Sequence, residues 1–191
     1  ILDGINLTVN QSDKIFMEGA NGSGRTTLMR ILSGMLQPTS GSLYINDDTY
    51  QKIDLDLFRS QIGVIGSGET TFEGTIRENI TLNDPTISQD DLRWAIDNTQ
   101  LGNFIKSLPK GLDSKLFPEA KQLPSSVVQK ILVARSIIHK PKILFLEDAL
   151  DKMDDHVANE IITFLTDTKN SWSLIVTSKN EYWKKKCNRT I

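Results

Sequence analysis

The sequence predicts an α/β fold in which a helical subdomain interrupts a core of parallel strands and helices. Short apolar strands alternate with amphipathic helices in residues 1–65 and again in residues 130–191, which is typical of folds built on a parallel sheet. Residues 66–129 lose the strand pattern and favour helices that are broken at proline. With 191 residues and 38% hydrophobic content, the chain is expected to form a single domain.

The first 65 residues contain predicted strands and one helix. The alternation of Ile5, Leu7 and Val9, a polar turn and the apolar run 15–17 predict two strands. A helix is predicted from Thr26, and its apolar face consists of Leu28, Ile31, Leu32 and Met35. The segments "SGSLYINDD" and "QIGVIG" each predict a further strand.

The second half continues with helices and strands. Residues 66–129 are divided at Pro85, Pro109 and Pro118. A helix is expected to begin near Val128 and to include "KILVARSIIHK". It is followed by the strand "KILFLE", the helix "HVANEIITFLTDT" and the strand "SLIVTS". The closing "CNRTI" resembles the start of a strand, and the chain opens without an initiator methionine. We therefore expect a domain that is truncated at both ends of a longer polypeptide.

Charge and composition limit the classes of partner. Twenty-two basic and 24 acidic residues give a net charge of −2, so no nucleic-acid partner is expected. The basic run 184–186 is interpreted as a solvated face, and His139 and His156 as surface residues. A single cysteine, Cys187, forms no internal disulfide and fits a reducing compartment. No apolar run approaches the roughly 20 residues that span a bilayer.

A glycine-rich loop carries the clearest chemical motif. The segment "GANGSGRTT" follows a predicted strand and opens a predicted helix, and it matches G-x-x-x-x-G-K-[ST] except that Arg25 replaces the lysine. Such loops surround phosphate with backbone N–H groups, and the hydroxyl at Thr26 is positioned to ligate Mg²⁺. The expected nucleotide-binding residues are Gly19, Asn21, Gly22, Ser23, Gly24, Arg25, Thr26 and Thr27. The planar guanidinium of Arg25 is expected to weaken binding relative to a compact ammonium.

Three further segments identify the kind of phosphate-loop protein. "PTSGSLYIND", "FEGTIRENI" and "KILVARSIIHKPKILFLEDALDKMD" together resemble the ATP-binding cassette of ABC transporters, and "FEGTIRENI" is similar to exporter-type cassettes. The resemblance implies a P-loop NTPase (RecA-like) core with an inserted helical subdomain. It also implies ATP and Mg²⁺ as ligands.

The resemblance further implies how the cassette is assembled. Two cassettes bind ATP between them in a head-to-tail dimer, which is either a homodimer or a heterodimer. A transmembrane domain of the same full-length polypeptide is the expected second partner, which places the cassette at the cytoplasmic face of a membrane. The transported substrate is not encoded in this segment.

Several motif positions depart from the family. Ser67 aligns with the Q-loop glutamine, and the signature loop aligns with "LPSSV", which comprises Leu123, Pro124, Ser125, Ser126 and Val127. Pro124 removes a donor, the two serines replace permissive glycines, and Val127 cannot hydrogen-bond through its side chain. Two interpretations stay open for this segment: a weakened signature loop or an ordinary helix cap.

The acidic positions and the switch position also differ from the family pattern. Glu147 stands on the metal side, and Asp148 stands where a general base polarises water, so the family's Asp–Glu order is inverted. Asp148 is one methylene shorter than glutamate, and misplacement by about 1 Å can cost on the order of 10²-fold in rate. Ser178 aligns with the switch histidine, while Asp154 matches the D-loop aspartate.

These residues leave several functions open. The favoured prediction is a cassette of an exporter that binds ATP and Mg²⁺ with weak or absent hydrolysis. The alternatives are an active ATPase motor and a nucleotide-free structural pseudo-cassette. A GTPase or small-molecule kinase would share the glycine loop but would not explain "GTIRENI" or the helical segment.

Overall fold

A computed structural model describes residues 2–117 and 123–191. Its centre is a five-stranded sheet in the order β4-β7-β8-β1-β9, in which every pairing is parallel. These strands are β1 (Lys14–Phe16), β4 (Ile62–Ile65), β7 (Ile143–Glu147), β8 (Ser173–Thr177) and β9 (Arg189–Thr190). The arrangement confirms the α/β class. Two small antiparallel pairs accompany it: β2 (Tyr44–Ile45) with β3 (Asp48–Thr49), and β5 (Gly74–Thr75) with β6 (Lys115–Leu116).

The central strands are buried on both faces because helices cover both sides of the sheet. Along β7, Leu144 and Leu146 belong to the larger hydrophobic cluster, whereas Phe145 between them belongs to the smaller one on the opposite face. Side chains alternate between faces along a strand, so a continuous apolar run is what such a strand requires. Helix α1 (Arg25–Leu32) contributes Met29 to the smaller cluster.

Seven further α-helices follow α1 among the described residues, of which α2 and α8 were not predicted. They are α2 (Leu55–Ser60), α3 (Ile76–Thr81), α4 (Gln89–Asn98), α5 (Gly102–Ser107), α6 (Ser125–Ile137), α7 (Asp155–Thr166) and α8 (Tyr182–Lys186). Helices α3 to α5 fall within residues 66–129, where helix was expected. The subdomain boundaries at 65 and 130 stay predictions. Among the described residues, no helix is both long enough and apolar enough to cross a membrane.

Helix α3 shows why "GTIRENI" folds as it does. Thr75 accepts a hydrogen bond from the Glu78 N–H at 3.1 Å, and Glu78 accepts one from the Thr75 N–H at 2.6 Å, which forms a capping box. Asn79 is fully buried, and its amide bonds to both backbone groups of Phe72 at 3.0 Å. The motif therefore fixes the turn that precedes the helix.

Three local expectations were wrong. Residues 5–9 form no strand, since the segment has no pairing partner among the described residues. Helix α1 ends at Leu32 because Gly34 adopts φ 72°, so Met35 lies outside it and is 62% exposed. Helix α6 begins at Ser125, three positions before the expected Val128. The predicted break at Pro118 lies outside the described residues.

The surface expectations for the basic run and the histidines are confirmed. Residues 184–186 are exposed, as are His139 and His156. Cys187 is a free, half-buried cysteine, and burial raises the pKa of its thiol to about 12. The thiol therefore stays protonated at neutral pH.

Candidate functional site

The glycine loop connects the carboxyl end of β1 to the start of α1. Gly22 and Gly24 adopt φ 82° and 96°, conformations that L side chains rarely take. A Cβ on Gly19 would lie 2.6 Å from Ser23 Oγ, so a side chain at this position would displace the Ser23 hydroxyl. Gly24 caps α1 without any side-chain hydrogen bond, and the first turn contains no acidic residue. The first N–H groups of α1 are thus left for an external acceptor.

The loop forms one wall of an open cleft of about 730 Å³. Every residue that the sequence assigned to nucleotide binding lines it: Gly19, Asn21, Gly22, Ser23, Gly24, Arg25, Thr26 and Thr27. The same cleft is lined by Ser67, Glu147, Asp148 and Ser178. The fold therefore brings together the glycine loop, the two acids, and Ser67 and Ser178, at which the sequence predicts departures from the family.

Glu147 and Thr26 are in direct contact. The Thr26 hydroxyl donates a hydrogen bond to Glu147 Oε1, and the Ser67 N–H donates to Oε2 of the same carboxylate at 3.2 Å. Glu147 ends β7 and is only 8% exposed. A threonine hydroxyl and a carboxylate are oxygen donors of the kind that Mg²⁺ accepts, so this pair fits the predicted metal position. Among the described residues, no cluster of three or more His, Cys, Asp or Glu side chains forms an all-protein metal cage.

Asp148 follows Glu147 at the edge of the sheet and is exposed. Its N–H donates to the Thr177 carbonyl at 2.9 Å, and its backbone adopts φ 52°, a left-handed conformation in which aspartate is enriched. The Ser67 hydroxyl donates to Asp148 Oδ2 at 3.0 Å. The residue predicted at the Q-loop position is therefore hydrogen-bonded to the residue predicted at the general-base position.

Ser178 lies beside the cleft but its hydroxyl is used within the protein. It donates to the Asp151 carboxylate and accepts from the Asn180 N–H at 3.0 Å. The second oxygen of Asp151 accepts from the Lys179 N–H at 3.1 Å. Asp151 consequently fixes the end of β8, an arrangement that sequence reasoning missed because only Asp154 matched a family motif.

The signature-aligned segment does not enter the phosphate-loop cleft. Pro124 is the residue before α6, and Ser125, Ser126 and Val127 form the first turn of the helix without a side-chain cap. Leu123 and Ser125 line a neighbouring cleft of about 490 Å³ that shares Ser67, Glu147 and Asp148 with the first. The segment is thus the start of a helix, and both interpretations, a weakened signature loop and an ordinary helix cap, stay predictions. Asp154 accepts a hydrogen bond from the His156 N–H at 2.9 Å and caps the start of α7.

Gln129 connects α6 to the acidic turn and was not recognised from the sequence. Its amide donates to the Asp148 carbonyl at 3.1 Å and accepts from the Lys152 N–H at 3.0 Å. Its position two residues after "LPSSV" was the available indication. The amide fixes the turn that contains Asp148.

Arg135 of α6 holds the segment that carries Ser67. It forms an ion pair with Glu69 at 3.1 Å and donates to the Asn79 carbonyl at 2.7 Å. Glu69 in turn accepts from the Gly66 N–H at 3.0 Å. Burial lowers the pKa of Arg135 below its usual range, and Glu69 opposes that effect. The guanidinium remains charged and ties α3, α6 and residues 66–69 together.

Known proteins with similar sequences are described as an ATP-dependent permease and as an ABC transporter ATP-binding protein. The chain is 31% identical over 163 residues to the ATP-dependent permease MDL1 of Candida albicans, which covers 85% of this chain and 24% of the relative. It is 32% identical over 178 residues to the uncharacterized ABC transporter ATP-binding protein YfiB of Bacillus subtilis, covering 93% and 31%. The chain therefore spans between about a quarter and a third of the length of these two relatives.

Structural comparison gives the same fold. A bacterial Atm1-family ABC exporter with ATP bound superposes with a TM-score of 0.87 at 22% identity, covering 93% of this chain and 31% of that one. This match confirms the P-loop NTPase core predicted from the sequence. The sequence profile of the family described as ABC transporter matches residues 2–151. The chain belongs to the ABC transporter family.

Proposed function

We propose that this chain is the ATP-binding cassette of an ABC exporter that binds ATP and Mg²⁺ and hydrolyses ATP weakly or not at all. The observation that carries the proposal is the single cleft in which the glycine loop faces the contact between Thr26 and Glu147. Relatives described as a permease and as ABC transporter proteins support the transport context. The nucleotide would supply the binding energy that holds two cassettes together.

Nucleotide binding is supported by the geometry of the loop. The left-handed conformations of its glycines allow backbone N–H groups to turn toward a phosphate, and the uncapped start of α1 adds a favourable dipole for phosphate. Arg25 contributes a cation to the same cleft. Thr26 and Glu147 would hold Mg²⁺, which would neutralise phosphate charge when bound.

Weak hydrolysis is supported by the hydrogen bonds that the residues at the predicted catalytic positions form within the protein. Ser67 replaces a long amide by a short hydroxyl that bonds to Asp148, so the carboxylate expected to polarise water already has a protein donor. Ser178 replaces an imidazole and bonds to Asp151. A general base must reach the proton it accepts within about 3 Å. In this chain both the base position and the switch position are engaged with neighbours.

A second cassette is the proposed partner across the cleft. The "LPSSV" segment lies on a different cleft from the glycine loop of the same chain, so it would meet nucleotide only when presented to another subunit. Its helical start retains serines but has no side-chain cap. The dimer would form from identical or different chains. The contact between this chain's signature segment and the nucleotide held by the partner would be weak.

A transmembrane domain of the full-length polypeptide is the other proposed partner, with this domain on the cytoplasmic face. Phe72 and Phe117 flank the β5–β6 pair and are 39% and 53% exposed. Exposed aromatic side chains at such a place favour contact with another protein segment. We infer that they belong to the surface that transmits nucleotide-dependent movement.

Equilibrium binding of ATP·Mg²⁺, combined with a turnover assay, tests the proposal. We expect saturable binding that Thr26→Ala weakens by about ten-fold when Mg²⁺ is present, while Thr168→Ala, at an exposed threonine outside the cleft, leaves it unchanged. Hydrolysis is expected at or near background. Turnover within about tenfold of ordinary cassettes that is abolished by Asp148→Asn would instead establish an active motor, and an absence of saturable binding would establish a structural pseudo-cassette.

A further inference from the structure

One turn of the glycine loop contains an asparagine that is followed directly by glycine. The Ser23 N–H donates to the Ala20 carbonyl at 3.1 Å, so Asn21 and Gly22 are the two central residues of a four-residue turn. Gly22 adopts φ 82°, close to the value that the third residue of a type II turn requires. The sequence contains no other Asn–Gly pair.

The side chain of Asn21 and the backbone nitrogen of Gly22 are both accessible. Both residues are exposed, and in the part of the chain that the structure describes the Asn21 amide donates no hydrogen bond. The Gly22 N–H has no backbone acceptor within the same residues, and a Cβ on Gly22 would meet open space. The amides of Asn98 and Asn170, by contrast, donate to backbone carbonyls at 2.8 Å and 2.6 Å.

This arrangement permits an intramolecular deamidation. The Gly22 nitrogen attacks the side-chain carbonyl carbon of Asn21, a new C–N bond closes a five-membered succinimide, and the bond from that carbon to the amide nitrogen breaks. The proton lost by the Gly22 nitrogen leaves with the amide nitrogen as ammonia. Glycine favours the attack because no side chain hinders its nitrogen.

Water from the solvent then opens the succinimide in one of two ways. Cleavage between the ring nitrogen and the side-chain carbonyl gives aspartate. Cleavage between the ring nitrogen and the main-chain carbonyl gives isoaspartate, in which the peptide chain runs through the side-chain methylene. Both products place a new carboxylate in the glycine loop, and isoaspartate also lengthens the loop backbone.

We propose that Asn21 deamidates spontaneously while the cleft is empty and that the product binds nucleotide poorly. The effect on binding rests on the proposed nucleotide-binding function, whereas the deamidation does not. The new carboxylate repels phosphate, and a longer backbone displaces the N–H groups that would surround it. Bound phosphate would engage these N–H groups and keep the Gly22 nitrogen from the Asn21 carbonyl, so nucleotide is expected to protect the site.

Mass spectrometry of the full 191-residue chain during incubation at neutral pH tests the proposal. Trypsin releases peptide 15–25, in which Asn21 is the only asparagine, and the mass increase from exchange of an amide NH₂ for OH should appear there. A synthetic peptide 15–25 incubated in parallel gives the rate without the fold, and the empty chain should react within about ten-fold of it. At about ten times its Kd, ATP·Mg²⁺ should slow the reaction about ten-fold, because only the empty loop reacts.

Two controls accompany the incubation. Asn46 is exposed in the turn between β2 and β3 and is followed by Asp47, so peptide 31–52, in which it is the only asparagine, should keep its mass. Asn21→Gln would need a larger ring and should stay unmodified. Its affinity for ATP, whatever the starting value, should not change during incubation, whereas that of the unaltered chain should fall by about ten-fold or more once Asn21 is converted.

Conversion confined to peptide 15–25, slowed by ATP·Mg²⁺ and accompanied by loss of ATP affinity, supports the inference. It is overturned by conversion more than about ten-fold slower than in the synthetic peptide, by equal conversion at Asn46, or by a rate that bound ATP leaves unchanged. Full ATP affinity after conversion, or an equal loss in Asn21→Gln, overturns it as well. Failure of the fresh chain to bind ATP overturns the proposed function and the protection by nucleotide, while the mass of peptide 15–25 separately decides whether Asn21 deamidates.

Discussion

The ammonium group of Lys14 lies inside the protein at the first residue of β1. Lys14 is only 3% exposed, and its Nζ donates to the Asn170 carbonyl at 3.2 Å and to the Trp172 carbonyl. Nζ also lies 5.6 Å from the centre of the Trp172 ring. Desolvation by burial lowers the pKa of Lys14 from 10.5 to about 8, while Cys187 and Asp167 act in the opposite direction.

This shift predicts how the stability of the fold depends on pH. The unfolded lysine keeps its proton to about pH 10.5, whereas the folded one releases it near pH 8, so between these values the unfolded state binds more protons. Stability attributable to Lys14 therefore rises with pH through this window and is lowest below pH 8. Between about pH 7.5 and about pH 9 the linkage relation gives a gain of about 1 kcal/mol in the free energy of unfolding.

Urea unfolding of the unaltered chain and of Lys14→Met at the two pH values measures this gain. The difference in the free energy of unfolding between the two proteins should change by about 1 kcal/mol from the lower to the higher pH, because Met carries no titrating group. The raised pKa of Cys187 lowers stability above about pH 9 in both proteins, so its contribution to the difference between them largely cancels. Lys142→Met, at an exposed lysine, should show no such change. A pH-independent difference between the unaltered chain and Lys14→Met would refute the reasoning.

Two packing predictions concern residues around α6. Gly63→Ala should lower the melting temperature by roughly 6 to 12 °C, because the new Cβ would lie 2.2 Å from the Ser136 carbonyl oxygen and overpacking of about 3 kcal/mol is expected. Gly66→Ala, whose Cβ would meet open space, should change the melting temperature little. Equal melting temperatures for the two variants would contradict the close contact at Gly63. Asn79→Ala should reduce the free energy of unfolding by about 2 to 4 kcal/mol, because it removes the buried amide that holds Phe72 and Arg135. Urea titration measures this reduction, with Asn103→Ala, at an exposed position, as the control. A smaller reduction in Asn79→Ala than in the control would exclude a stabilising role for the amide.

The central strands could be predicted because their sequences suit only one environment. "ILFLE" is apolar at consecutive positions, and a strand covered on both faces is where that composition is stable. The alternation at residues 5–9 was misleading, because a strand also needs a neighbour and none is available among the described residues. The end of α1 was missed because Gly34 adopts a left-handed conformation, with the Tyr50 hydroxyl bonded to its carbonyl at 3.0 Å.

The candidate site was predictable to the extent that its residues follow strands in the sequence. The glycine loop follows β1, Glu147 ends β7 and Ser178 follows β8, and carboxyl ends of parallel strands share one edge of a sheet. The contacts that bind these residues to each other were not predictable. Ser67 and Asp148 are far apart in the sequence, and the bond between them depends on how Arg135 positions residues 66–69. The roles of Asp151 and Gln129 likewise depend on three-dimensional proximity.

The position of β1 within the sheet affects how the domain folds during synthesis. The strand nearest the amino terminus lies between the two strands nearest the carboxyl terminus, since residues 14–16 pair with residues 174–176 and residues 15–16 with 189–190. During synthesis both edges of β1 thus stay unpaired until residues 173–190 have left the ribosome. A domain that needs such long-range pairing folds slowly and exposes apolar strand edges while it does so. This domain is therefore expected to need chaperones during synthesis, whatever the stability of its final fold.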